Sequence, residues 1–354
     1  MKKRLMFLVG IFMIILFGNL VSAQLNISFA GNSDSGTVTK DNIFVNVSSA
    51  TDSGNVSTFI NWQNSLVSWW RFEESGWDGT TGEVKDYFGN YNGTAAANAN
   101  VTSSGYFGQG GEFDGDGDAV EITSAPLGSS PTGNFTISAW IKFNGDTGAN
   151  QYPLQHGADG VGGSLTSNVA YFWNGTNIFF YSRPTGFGAS NYIWTSVKSY
   201  SNWYHVVATA NGSGYMTLYM DGVEDVAGFK TNRQLTALSL HDSFFIGAEG
   251  TDGGGGSVFE QYFNGTIDDV MIFNRSLSVD EVQGLYANTS SKYVSNNYTG
   301  LSEGGYNVTA YTQDTSGNVN ITSSDITVNV ADVGLESIYP TTDITVQHGF
   351  FNVT

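Results

Sequence analysis

YFNGTIDDVMIFNRSLSVDEVQGLYA, Tyr262 to Ala287, carries strand, turn and helix signals in direct succession. Ile267, Val270, Ile272 and Phe273 form an apolar run of strand formers between the turn-forming pairs Asn264-Gly265 and Asn274-Arg275. Ser278 and Glu281 then have the spacing of a capping box, the hydroxyl accepting from the N3 amide while the carboxylate reaches back to the N-cap amide. Val279, Val282, Leu285 and Tyr286 recur at helical spacing and predict a helix with one apolar side, closing a domain. Asp268 and Asp269 stand together at the start of the strand. On an extended chain neighbouring side chains point to opposite faces, so at most one of the two is expected to be buried and the other wet. A buried carboxylate needs a cation or several donors.

Upstream of this stretch, from about Ser65, the chain reads as short strands punctuated by turns. LVSWWRF, GEFDGDGDAVEI and FTISAWIKF are followed by a hairpin signal, VAYFWNGTNIFFYSR, around Asn174-Gly175, then by NWYHVVATA, GYMTLYMDGVED and FFIGAEG. Ile137, Ala139, Ile141 and Phe143 alternate as a strand with one face on a core. So many strands between residues 65 and 288 predict two large packed sheets, a jelly roll.

The flanks supply a second unit. Residues 24–64 hold three strand-like runs, LNISF, NIFVNVS and VSTFINW, too few to close a sandwich. Residues 289–333 supply Tyr293 to Thr299, GGYNVTAYTQ and ITVNV. LSEGGYNVTAY resembles the corner and sixth strand of an immunoglobulin-like domain, with Tyr306 as the corner tyrosine and Trp62 as the core tryptophan. The chain therefore reads as one immunoglobulin-like sandwich split in sequence, with the jelly roll inserted between its third and fourth strands at a loop whose ends lie close together. TVTKDNIFVNVS (Thr37 to Ser48) recurs loosely as TVQHGFFNVT (Thr345 to Thr354), so residues 334–354 are expected to begin a further, truncated domain of the same kind and to be poorly anchored.

The ordered set WRFEES, DYFGNYNGT, GGEFDGDGDAVEI, FTISAWIKF, WYHVVATA, LYMDGV and NGTIDDVMIFNRSLSVDEV resembles the laminin G-like branch of the concanavalin A-like lectin/glucanase superfamily across nearly all of residues 65–288. The resemblance implies an all-β, two-sheet jelly roll, frequently with one calcium, on exported proteins that bind glycans or other surfaces. It does not imply an enzyme. It also implies a calcium site where the early turn Asp86 to Gly93 meets the last strand, with Asp86 and Asp268 as side-chain ligands and carbonyls from Gly89 to Asn92. Each of these aspartates also reads as a local structural group, Asp86 opening a turn and Asp268 capping a strand end.

Composition narrows the partners. Lys2, Lys3 and Arg4, an apolar run and Val21-Ser22-Ala23 read as a secretory signal peptide over residues 1–23, or else an uncleaved anchor. No later segment approaches the roughly 20 apolar residues of a membrane span. The chain holds 13 basic and 32 acidic residues; without the three basic ones of the leader the net charge is about −22, which excludes nucleic acid as a partner. Cysteine is absent, so an exported chain is held without disulfides. About fifteen Asn-x-Ser/Thr sequons, Asn26 and Asn134 among them, offer glycosylation sites or simply reflect an Asn-, Ser- and Thr-rich composition.

Glycosidases need two carboxylates facing one groove, and no alternating Glu-x-Asp-x-Glu strand is present. Asp114, Asp116 and Asp118 alternate, but Gly115 and Gly117 between them favour a turn or an ion loop. His205 alternates with apolar neighbours and reads as structural. Sugars are held by aromatic stacking and a few amide or carboxylate hydrogen bonds, which makes the loop aromatics Trp77, Tyr152, Phe187, Tyr192 and Trp194 the candidate ligand contacts, near the Gly-rich segments 157–163 and 250–256. Trp70, Trp140 and Trp203 lie in strand patterns and belong to the core. The expected function is that of an exported, non-catalytic cell-surface protein that binds glycans or other surface ligands, with structural calcium. A structural envelope or spacer protein is one alternative, and an accessory region of a larger polysaccharide-degrading enzyme that continues beyond Thr354 is another.

Overall fold

The computed structural model describes residues 24–124, 126–128, 133–157, 159–160, 168–183, 190–230, 233, 235, 243–252 and 257–330. The leader, Phe187, most of the two Gly-rich segments and the repeat at residues 345–354 lie outside the described residues. Among the described residues no helix is long and apolar enough to cross a membrane.

Two large sheets pack face to face. Asn264–Phe273 is central to one of them, flanked by Phe135–Phe143 on one side and by Gly110–Asp114 and Leu66–Trp70 on the other. Trp203–Ala210 and Met216–Met220 extend this sheet outward. The second sheet runs in the order Gly228–Lys230, Asn191–Trp194, Ile178–Arg183, Asn168–Trp173, Gln151–His156, Phe244–Ile246, Ala119–Ile122 and Thr94–Ala96. The core lies between them. Ile137, Ala139, Ile141 and Phe143 point into it as their alternation predicts, against Tyr171, Trp173, Phe180 and Ile193 of the facing sheet. The intervening Ser138 and Trp140 are buried too, because the other face of the first sheet is also covered: Trp140 stacks on Tyr106 and on Tyr286.

The flanking segments form one smaller sandwich. Asn42–Thr51 pairs with Leu25–Phe29 and, along its length, with Ser291–Thr299. Val56–Trp62 pairs with Gly304–Asp314, which pairs with Val319–Val328. Ile43, Val45, Val47, Ile60, Val294, Val308 and Ile326 close a core between these two sheets. Gly36–Val38, too short to show alternation, adds a parallel strand beside Val319–Val328, so the larger unit follows the fourth strand of this sandwich rather than the third. Tyr306 donates from its hydroxyl to the Ser302 carbonyl at 2.8 Å. Trp62 is not enclosed in the core; it is half-buried and stacks on Tyr298 with ring centroids 3.8 Å apart.

The helix Val279–Leu285 joins the two units. Its capping box forms, with the Ser278 hydroxyl accepting from the Glu281 amide and the Glu281 carboxylate accepting from the Ser278 amide. The buried side differs from the apolar stripe. Val279 is 50% exposed, while Glu281, Val282, Gly284 and Leu285 are buried. The cause is Arg275, whose guanidinium pairs with Glu281 and carries the carboxylate's charge into the junction.

Candidate ligand-binding face

In the second sheet the alternation that sends Tyr171, Trp173, Ile178 and Phe180 into the core sends Phe172, Phe179 and Tyr181 to the opposite face. Cross-strand register places Phe172 opposite Phe179, Phe179 opposite Trp194 and Tyr181 opposite Tyr192. Phe172 and Phe179 stack with centroids 4.4 Å apart, and Tyr152 stacks on Phe172 at 5.7 Å. Tyr192 meets Phe179 edge-on at 5.8 Å, and the Lys230 ammonium sits 5.1 Å from the Tyr192 ring. These rings line an open cavity of about 420 Å³, together with Asn150, Asn174, Arg183, Ser190 and Glu249. Aromatic faces beside amide, guanidinium and carboxylate groups can take up the apolar face and the hydroxyls of one ligand at once. Glu249 is the one carboxylate among the described lining residues.

Three of the aromatics singled out in the sequence meet here. Tyr152 and Tyr192 line the cavity, and Trp194 lies beside Tyr192 at 5.9 Å. Trp77 lies elsewhere, buried edge-on against Phe72 in the core with its indole N–H 3.4 Å from Glu74. Phe172, Phe179 and Tyr181 were hidden inside a hairpin signal. What could have revealed them is that VAYFW and IFFYSR carry rings at both odd and even positions, more than one buried face can use.

The paired aspartates are arranged differently from the expectation. Both are buried, Asp268 at 0% and Asp269 at 3% exposure. Opposite them the register skips: Ser138 pairs with Met271 and Trp140 with Asp268, leaving Ala139 to face two residues. Asp269 takes up the extra length in the left-handed region, at φ +49°. With Ile267 and Val270 on the core face, this β-bulge brings both carboxylates to the side where the smaller sandwich packs.

Asp268 accepts from the Phe107 amide at 2.8 Å and from the Asp269 amide at 2.7 Å. Asp269 accepts from the Trp69 indole at 2.7 Å and from the Gln313 side-chain amide. Burial, then the charge of Asp269, holds the Asp268 carboxyl well above the usual carboxylate range. Burial also pushes Asp269 up to about 7, with Arg71 pulling the other way and Glu73 adding to the rise. Asp86, also buried, accepts from the amides of Trp69, Asn90 and Tyr91 and so orders its turn. Among the described residues no three Asp, Glu or His side chains converge as a ready metal cage.

The other candidates resolve locally. Asp114 to Asp118 is a turn, with Gly115 at φ +87° and Gly117 at φ +88°. Asp118 is buried and accepts from the amides of Asp114 and Asn98, while Asp114 accepts from the Asp116 amide and the Asn98 side chain. His205 is buried with Nε2 3.0 Å from the Ser138 hydroxyl, and burial lowers its pKa to about 3, which keeps the ring neutral.

The Laminin_G_3 family of the concanavalin A-like lectin/glucanases superfamily matches residues 114–283, so that stretch carries a domain of this superfamily. The two-sheet unit extends beyond the match, since Leu66–Trp70 hydrogen-bonds to Asn264–Phe273. No curated protein matches the chain. Similar solved structures include domain 4 of AbnA, a GH43 extracellular arabinanase from Geobacillus stearothermophilus, in complex with arabinotriose: 17% identity, TM-score 0.45, covering 63% of this chain and 98% of that one. The binding domain of Paraclostridial Mosquitocidal Protein 1 is 18% identical with TM-score 0.48, covering 63% and 52%. The botulinum neurotoxin serotype D binding domain is 16% identical with TM-score 0.47, covering 64% and 51%, so this chain spans about half the length of either toxin domain.

Proposed function

We propose that the protein is an exported, non-catalytic glycan-binding protein whose ligand lies on the aromatic face of the second sheet. The observation that carries this reading is the convergence of Tyr152, Phe172, Phe179, Tyr181 and Tyr192 around one open cavity that also holds amide and charged groups. Export rests on the leader pattern of residues 1–23. In this reading the smaller sandwich presents the binding unit at a surface. A glycan array probed with the full chain, calcium present, tests it: binding to a defined set of saccharides supports the reading, and uniform absence of binding would favour a structural spacer.

A structural calcium is part of the proposal. Burial, Asp269 and Glu73 all raise the proton affinity of Asp268, and burial and Glu73 raise that of Asp269 against the pull of Arg71, so a cation would relieve an excess of buried negative charge. Asp86 and Asp268 would hold it with backbone carbonyls of the turn at Gly89 to Asn92 and water, since too few side chains converge to do so alone. Calorimetric titration of the metal-depleted protein with calcium is expected to give heat and a rise in melting temperature. Neither signal would leave Asp86 and Asp268 as purely structural acceptors.

A further inference from the structure

The smaller sandwich meets the larger unit through the outer face of the sheet containing Val56–Trp62 and Gly304–Asp314. On that face Phe59 stands opposite Tyr311 and stacks on it at 5.4 Å, and the next pair along is Ser57 opposite Gln313. Both members of this second pair are buried, at 1% and 0% exposure. Among the described residues neither Ser57 Oγ nor Gln313 Oε1 has a hydrogen-bond partner, an omission that native interiors rarely tolerate. Their neighbours are engaged: Thr312 donates to the Ser57 carbonyl, Thr58 bonds to Ser49 and Thr312, and Asp314 accepts from Asn318 and Ser316. From the other side Asp269 contacts Gln313 Nε2 and fixes the amide plane.

We infer that Ser57 and Gln313 become joined by an intramolecular ester between Ser57 Oγ and Gln313 Cδ. The hydroxyl oxygen adds to the amide carbon, the Oγ–Cδ bond forms, the Cδ–Nε2 bond breaks, and the hydroxyl proton leaves with the nitrogen as ammonia. No oxidant, metal or second substrate enters the balance. The reach is available, because directly opposed cross-strand residues have Cβ atoms about 4.5–5.5 Å apart and the bridge Cβ–Oγ–Cδ–Cγ–Cβ spans that gap. The burial of both side chains keeps out water that would hydrolyse the ester to Ser57 and a glutamate at position 313. The product removes the unpaired hydroxyl donor. It also ties the strand after which the larger unit departs, Val56–Trp62, to Gly304–Asp314, the second strand after its return, closing a long loop in a chain that has no cysteine.

The test is peptide mapping of the full chain by mass spectrometry, digested under acidic conditions that preserve esters. The expected result is one linked species whose mass is the sum of the Ser57 and Gln313 peptides less one ammonia, split by hydroxylamine into a peptide with free Ser57 and one with a hydroxamate at Gln313. Ser57→Ala should yield two separate peptides and run more slowly on a denaturing gel than the wild-type chain, while keeping its β-sheet circular dichroism. Recovery of both peptides unlinked, with the Gln313 amide intact, from wild-type protein that shows a normal melting transition would overturn the inference. A link joining either residue to a different partner would overturn it equally.

Discussion

Arg275 holds Glu281 through two parallel hydrogen bonds of 2.6 and 2.8 Å, with the carboxylate 1% exposed at the junction of the two units. Arg275 also donates to the Ile60 carbonyl and the Ser65 hydroxyl, both at 2.9 Å, and Glu281 further accepts from Asn296 and Tyr298. One ion pair thus gathers the helix, the end of the larger unit and two strands of the smaller sandwich. Burial alone would lower the Arg275 pKa, but the Glu281 contact outweighs it and raises it.

Removing one partner should therefore leave a buried charge uncompensated. Glu281→Ala is expected to destabilise the protein by about 3–5 kcal/mol, and the Arg275→Met, Glu281→Leu double variant by much less than the sum of its singles. Urea denaturation of the four proteins of the cycle measures this. Additive effects would mean that the pair is not coupled.

Gly284 sets how closely the helix approaches its host. A methyl group there would lie 2.5 Å from the Thr58 carbonyl oxygen and equally close to the Val294 side chain. Gly284→Ala, which favours an isolated helix, is expected here to destabilise by about 1–3 kcal/mol through overpacking. A melting temperature at or above that of the wild type would contradict the packing described.

His205 gives a pH signature with a definite sign. Its folded pKa is depressed to about 3 by burial, with Lys292 adding to the effect, against an ordinary value of 6.5. Below pH 6.5 the unfolded chain binds the proton that the folded chain refuses, so this group's contribution to stability is lost as pH falls from 6.5 toward 3. His205→Gln should flatten the acid limb of the melting curve by up to about 1.4 kcal/mol per pH unit relative to wild type. Parallel acid limbs for the two proteins would mean that His205 titrates alike in both states.

Legibility in the sequence followed how local the cause was. The capping box at Ser278 and Glu281 and the alternation of Ile137 to Phe143 were readable because they depend on residues a few positions apart. The burial of both Asp268 and Asp269 was not, because the bulge that permits it is a mismatch with Ala139, a residue on another strand. Val279 turned outward for a similar reason: the helix is oriented by Arg275, Thr58 and Val294, none of which lies in its own apolar stripe. The ligand face was half visible. Tyr152, Tyr192 and Trp194 stood out as loop aromatics, whereas Phe172 and Phe179 were no more than part of a hairpin signal, and only the facing sheet shows which side of their strands is already filled.

The central claim is that the rings around Tyr192 bind a saccharide. The most direct measurement is a calorimetric titration of wild-type, Tyr192→Ala and Trp77→Phe proteins with the saccharide that ranks highest on the array. Tyr192→Ala is expected to weaken binding by about 2 kcal/mol, roughly thirtyfold, as the loss of a central aromatic contact does. Trp77→Phe, which alters only the core, should lower the melting temperature and leave affinity unchanged. Unchanged affinity in Tyr192→Ala, with the fold intact, would contradict the assignment of this face.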